Sequence, residues 1–248
     1  MTEGNTHNAG NAGSGRKNVI FDYDGTLHET MRIYGPAFRK NYEFLTAQGL
    51  MPARQFEDAE ISEWLGYPAG DMWRRFAPQL SEAEQGACSA RIQEEMARLI
   101  ENGTARLYPA VPTLLDTLKR AGFGIYLLSN CKSSYLDAHR RVMKLDRWFD
   151  GYYWGEAEGW APKPEIMKKL LREHPGAAVM VGDRFLDFEA ARAFDLPFIA
   201  CAYGYGSPEE WREAAAVAAS PEELKTLIPQ LLPAAPSPFG VHSAGRPS

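Results

Sequence analysis

The chain has 248 residues, 45% of them apolar and 24% charged, with a formal net charge of −5 and a sequence pI of about 5.6. That length supports one large or two modest domains around a buried core, and the acidic balance argues against nucleic acid as a partner. No run of 18 apolar residues is present to span a membrane, and three scattered cysteines without a C-x-x-C pair (Cys88, Cys131, Cys201) suggest neither a zinc site nor a disulfide framework.

The first residues, 1–16, are rich in Gly, Asn and Ser without periodicity and are expected to be a disordered leader. They hold no apolar h-region, so they do not read as a signal peptide. With reduced thiols, this points to the cytoplasm. Residues 10–17 are a near miss to a P-loop, but they carry Arg16 where Lys belongs and precede a strand instead of following one.

A short apolar strand is predicted over 18–21, running into Asp22-Tyr23-Asp24-Gly25-Thr26-Leu27. Asp-Gly alone is a hairpin signal. Here no second strand follows Thr26, so two carboxylates stand at the end of a strand. One carboxylate can attack phosphorus, and one two residues on can serve as general acid and base.

Residues 31–106 read differently. Helices are predicted over 34–48, 56–64, 70–76 and 81–100, the last opened by a capping box of Ser81 and Glu84. This all-helical insert interrupts the strand pattern and is placed to hang over Asp22. Its Trp64, Tyr67, Arg74 and Arg75 are candidates for choosing the substrate. The other tryptophans, Trp73, Trp148, Trp154, Trp160 and Trp211, are read as packing residues.

Strand and helix then alternate: helix 111–121, strand 124–128, helix 134–145, helix 164–173, strand 178–181, helix 187–194 and strand 198–201. Alternation of this kind implies a doubly wound parallel α/β sheet. Ser129 and Asn130 follow the second strand; alone they are a turn or helix cap, but at a strand end they can hold phosphate oxygens. Cys131 beside them has no nearby histidine in sequence to activate it. Lys163 lies between Pro162 and Pro164, which stiffen the backbone around its ammonium. Asp183 and Asp187 follow the strand at 178–181 and are a turn residue and an N-cap, or, with Asp22, a magnesium site. Residues 233–248, rich in Pro, Ala and Ser, are expected to be a disordered tail.

The four elements occur in order, each at a strand end, and together the chain resembles the phosphatases of the haloacid dehalogenase-like superfamily. Asp22-Tyr23-Asp24-Gly25-Thr26 matches the first motif, Ser129 the second, Lys163 the third and Gly182-Asp183 with Asp187 the fourth. Trp64-Leu65-Gly66-Tyr67-Pro68 is similar to a loop of the phosphoglycolate phosphatase-like branch. The resemblance implies a Rossmann-like core (17–30 and 107–232) with a helical cap (31–106). It implies Mg2+ held by Asp22, Asp183, Asp187 and the backbone carbonyl of Asp24. It implies Asp22 as nucleophile, Asp24 as acid/base, Ser129, Asn130 and Lys163 as phosphoryl-binding groups, and Trp64 near a small phosphorylated substrate. Thr26 stands where the superfamily's mutases and phosphonate hydrolases usually carry Val or Ala, which favours a phosphatase. A non-catalytic relative should have lost one of the four acidic and basic residues, and none is lost. Two departures stand out: His28, expected at the surface or against substrate, and Arg184, expected to contact substrate or pair with an acid.

Overall fold

The computed structural model describes residues 15–232; the expected tail and nearly all of the expected leader lie outside them. Strands β1 (Lys17–Phe21), β2 (Gly124–Ser129), β3 (Gly151–Trp154), β4 (Ala177–Gly182), β5 (Phe198–Cys201) and β6 (Ala216–Ala218) form one sheet in the order β3-β2-β1-β4-β5-β6. Every pairing is parallel. Val19 of β1 lies opposite Ile125 of β2 on one side and Val179 of β4 on the other.

Alternate residues of these strands feed two apolar layers, as the two-residue strand period requires. Val19, Phe21, Ile125, Leu127, Val179 and Val181 pack on one face with α5 (Val111–Arg120) and α9 (Leu224–Leu231). Ile20, Tyr126, Leu128 and Met180 pack on the other with α7 (Lys163–Glu173) and α8 (Phe185–Arg192). The fold is thus the doubly wound α/β sheet that the alternation implies. Strands β3 and β6 and helix α9 go beyond the sequence reading.

The chain winds outward from β1 through β2 to β3, then returns to the other side of β1 for β4. The strand order therefore reverses between β1 and β4. Crevices at the carboxyl ends of strands at such a reversal are where open α/β sheets bind ligands.

Between β1 and α5 come α1 (Met31–Ala47), α2 (Asp58–Ser62), α3 (Ala69–Phe76) and α4 (Glu82–Glu101). They gather their own apolar cluster, including Phe38, Tyr42, Leu45, Trp73 and Ile92. The Ser81–Glu84 capping box is formed: Ser81 N–H donates to the Glu84 carboxylate at 2.7 Å and Glu84 N–H to Ser81 Oγ at 3.3 Å. Among the described residues no helix is long and apolar enough to cross a membrane.

Candidate active site

The ends of β1, β2 and β4 meet α7 and α8 at the strand-order reversal. Asp22 leaves β1 with its N–H donated to Val181 O of β4 at 2.9 Å. Gly25 turns the chain behind it at φ +79°, and a Cβ there would strike the Asp183 carboxylate, so only glycine fits. Asp183 and Asp187 approach from the far side: one carboxylate oxygen from each of Asp22, Asp183 and Asp187 lies within 4.8 Å of the others. Asp183 and Asp187 are fully buried.

Lys163, at the start of α7, reaches into this cluster. Its Nζ donates to Asp22 Oδ1 at 2.7 Å and to Asp187 Oδ1 at 2.5 Å. Burial opposes its charge, but Asp187 and Asp22 hold its pKa above the ordinary lysine value. Asp22 is pushed up to about 7, first by burial and then by Asp187, against the pull of Lys163. Asp183 is raised well above the carboxylate range by burial and by the charges of Asp22 and Asp187. It accepts N–H of Tyr205 at 2.7 Å and the Thr26 hydroxyl at 3.4 Å, and among the described residues it has no ion pair.

Asp24 points to a different set of partners. Its Oδ1 accepts from Tyr135 OH at 2.6 Å and Thr30 Oγ1 at 2.7 Å, with His28 Nδ1 at 3.3 Å. Burial works to raise its pKa, but His28, Tyr135 and Thr30 outweigh that and hold it below the ordinary value. Tyr135 and His139 sit one turn apart on α6 (Ser133–Met143).

His28 is fully buried, which corrects its expected place at the surface. It stacks on Tyr23 with ring centroids 5.3 Å apart and meets His139 edge-on at 4.5 Å. The cause is the chain path: residue 28 makes β-bridges to both Asp24 and Leu107, and its ring packs on His139 of α6. Thr30, Tyr135 and His139 were not singled out by sequence reading. The one available signal was the i, i+4 spacing of Tyr135 and His139 on a helix that follows Ser129.

A cavity of about 240 Å³ opens above Asp22 and Asp24, lined also by Ser129, Asn130, Lys163 and Trp64. Trp64 packs edge-on against Phe76 at 5.6 Å. Tyr67 lines the cavity too, whereas Arg75 lines an adjoining cleft and lies over the Tyr67 ring at 5.0 Å. Arg74 pairs with Asp71 outside the cavity. Arg184 pairs with Glu210 at 3.0 Å and donates to the Leu65 carbonyl, tying α8 to the helical insert. Trp160, expected to pack, is instead 48% exposed beside the cavity. Burial pushes the Cys131 thiol up to about 12, which leaves it inert as a nucleophile.

A parallel sheet with an acidic cluster and a buried lysine at its strand-order reversal defines an α/β enzyme core with its site in the switch-point crevice. Residues 16–195 match the model of the haloacid dehalogenase-like hydrolases, and the chain belongs to that family. A 5′-nucleotidase of Pseudomonas aeruginosa is 25% identical over 200 residues, covering 79% of this chain and 86% of the relative. A phosphoglycolate phosphatase of Aliivibrio fischeri is 26% identical over 206 residues, covering 78% and 87%. Two solved structures share the fold. One is a haloacid dehalogenase-like family protein of Streptococcus pneumoniae, with TM-score 0.70, 21% identity and coverage of 86% of this chain and 98% of that one. The other is CbbY of Rhodobacter sphaeroides, with TM-score 0.68, 23% identity and coverage of 84% and 95%.

Proposed function

We propose that the protein is a magnesium-dependent phosphatase that hydrolyses a small phosphorylated metabolite through a phospho-aspartate on Asp22. The observation that carries this reading is the buried contact of Asp22 with Lys163, beside two further carboxylates and beneath a cavity. The relatives named as a phosphoglycolate phosphatase and a 5′-nucleotidase support the same reaction class.

The residues present fit a hard divalent cation. Three carboxylate oxygens converge, and Asp183 is a buried carboxylate without an ion pair among the described residues. Asp22, Asp183, Asp187 and the Asp24 backbone carbonyl are the groups that would hold Mg2+. When bound, the ion supplies positive charge that screens the attacking carboxylate from an anionic ester and draws electron density from the phosphoryl group.

A carboxylate oxygen of Asp22 attacks phosphorus, the bond from phosphorus to the alcohol oxygen breaks, and that oxygen takes a proton from Asp24. Asp24 then accepts a proton from water as the water oxygen attacks the phospho-aspartate. Inorganic phosphate leaves and the Asp22 carboxylate is restored. Asp24 begins ionised, held so by its three donors on Oδ1. A phosphate anion arriving beside it raises its proton affinity, so as substrate binds Asp24 takes up a proton from solvent on Oδ2, which carries none of those bonds, and this is the proton it gives to the leaving oxygen. Lys163, Ser129 and Asn130 hold the phosphoryl oxygens, and Lys163 neutralises charge as it builds. The helical segment 31–106 acts as the cap that excludes water and admits substrate. A cytoplasmic setting fits the three free, buried cysteines.

The test is Asp22→Asn, which should abolish Mg2+-dependent phosphate release from p-nitrophenyl phosphate with the circular dichroism unchanged. A rate equal to the wild type would overturn the nucleophile assignment.

A further inference from the structure

We infer that the alcohol released from the substrate is an uncharged, flat, ring-bearing group of the nucleoside kind, seated against Trp160. The inference deepens the phosphatase reading and rests on it.

The first support is the chemistry of the cavity's lid. Helices α1 to α4 and their loops line it with Tyr34, Trp64, Met72, Ile92 and Met96, and contribute no lysine or arginine. The cations that line it belong to the core. Lys163 is bonded to Asp22 and Asp187, Arg184 to Glu210, and Lys132 donates to Gln93 Oε1 at 2.9 Å. A leaving group with its own carboxylate, such as glycolate, would have to be desolvated against the lid's aromatic and thioether side chains, and would find only Lys132, held by the neutral Gln93, among the lining cations without an ion pair. A flat neutral ring suits that lining, since aromatic and methionine side chains offer polarisable surface.

The second support is Trp160 itself. It is a large aromatic residue left 48% exposed, and its backbone is held at φ +60°, a conformation that bulky L-residues rarely adopt. Its neighbours explain how it is held there. Trp160 N–H donates to Gly155 O at 2.6 Å, and its ring lies so close over Gly155 that a Cβ at 155 would stand 2.9 Å from Cε3. Gly155 N–H in turn donates to Ser129 O at 3.0 Å, and Glu156 N–H to Cys131 O at 3.3 Å. The indole is therefore fixed to the loop that carries Ser129 and Asn130. It lines both the inner cavity and the adjoining cleft of about 1080 Å³. Strain kept at an exposed aromatic beside a site is a signature of function. A rigid ring face at the mouth stacks on another flat ring, whatever its identity. Ser134, which lines the same cavity, offers a hydroxyl for the polar edge of a base or ribose.

The experiment compares phosphate release, with Mg2+, from adenosine 5′-monophosphate, phosphoglycolate and glycerol phosphate. The expected result is a kcat/KM for the nucleotide about tenfold or more above that for phosphoglycolate. Trp160→Ala should lower the ratio of nucleotide to glycerol phosphate kcat/KM by about tenfold, the worth of one stacked base, and Trp160→Phe should largely restore it. Preference for phosphoglycolate, or a ratio unmoved by Trp160→Ala, overturns the inference. If the wild type hydrolyses p-nitrophenyl phosphate but none of the three esters, the inference is overturned; if it hydrolyses none of the four, the phosphatase reading fails by itself. Calorimetric titration of adenosine 5′-monophosphate into the Asp22→Asn protein then decides the ring site. Binding weakened about tenfold by adding Trp160→Ala supports it; absence of binding, or binding indifferent to Trp160, overturns it.

Discussion

Lys163 and Asp187 are joined by a hydrogen bond of 2.5 Å between two groups that are almost wholly removed from water. The same ammonium holds Asp22, so one cation offsets part of the charge of a three-carboxylate cluster. Removing one partner of a buried ion pair strands the other, at a cost of about 3–5 kcal/mol. Lys163→Met should therefore lower the thermal midpoint sharply in metal-free buffer. Mg2+ should recover part of the loss by binding the folded state alone, while hydrolysis stays absent. A metal-free midpoint equal to the wild type would show that the pair contributes nothing to the fold.

Asp22 makes a prediction with a defined pH window. Burial, then Asp187, raises its folded-state value from 3.8 to about 7. A group raised on folding stabilises fully below its unfolded value, and that contribution is lost as pH climbs through the folded value. For Asp22 the loss falls between about pH 4 and 7. Asparagine does not titrate, so Asp22→Asn should gain thermal stability relative to the wild type as the pH rises from 5 to 8 in chelator. Saturating Mg2+ should shrink the difference, because the ion stabilises the carboxylate form. A difference that is flat across this range would contradict the raised value.

The sheet and the acidic cluster were legible because buried parallel strands read as continuous apolar runs, and the residues proposed to react follow directly at their ends. Asp22, Ser129 and Asp183 each come within a residue or two of such a run. Strands β3 and β6 lack that signal: Gly151–Trp154 is short and only partly buried, and Ala216–Ala218 is a three-residue edge. His28 was misplaced because its burial is set by bridges to Asp24 and Leu107 and by a helix more than a hundred residues on. Trp160 was misplaced for the opposite reason. Tryptophan is ordinarily inside, and the left-handed turn that holds it out is a property of the loop's hydrogen bonds, which single-residue preference does not carry.

The bond from Tyr135 to Asp24 leads to a third prediction. A hydrogen bond to a charged group contributes about 1.5–3 kcal/mol, and this one fixes the oxygen opposite the one free to carry a proton. Tyr135→Phe keeps the ring that packs on His139 at 4.4 Å but deletes the hydroxyl. The expected effect is a fall in kcat of about tenfold or more with KM little changed, since the residues proposed to hold the phosphoryl group are untouched. A rise in KM at constant kcat would instead make Tyr135 a substrate contact.

Gly204 offers a test of the proposed metal site that leaves every carboxylate in place. It packs directly on Asp183, and a Cβ there would collide with the Asp183 side chain while standing 2.7 Å from Gly25 O. Neither neighbour can yield freely: Asp183 is fully buried, and Gly25 sits in the turn behind Asp24. Gly204→Ala should therefore displace the Asp183 carboxylate and raise the Mg2+ concentration needed for half-maximal activity by about tenfold or more, the range for disturbed metal-site supports. Gly86→Ala is the matching control. Gly86 lies within α4 with nothing within 4 Å of its Cβ position, so alanine there should stabilise by about 0.5–1 kcal/mol and leave the Mg2+ requirement unchanged. An unaltered Mg2+ requirement in Gly204→Ala would remove Asp183 from the metal site.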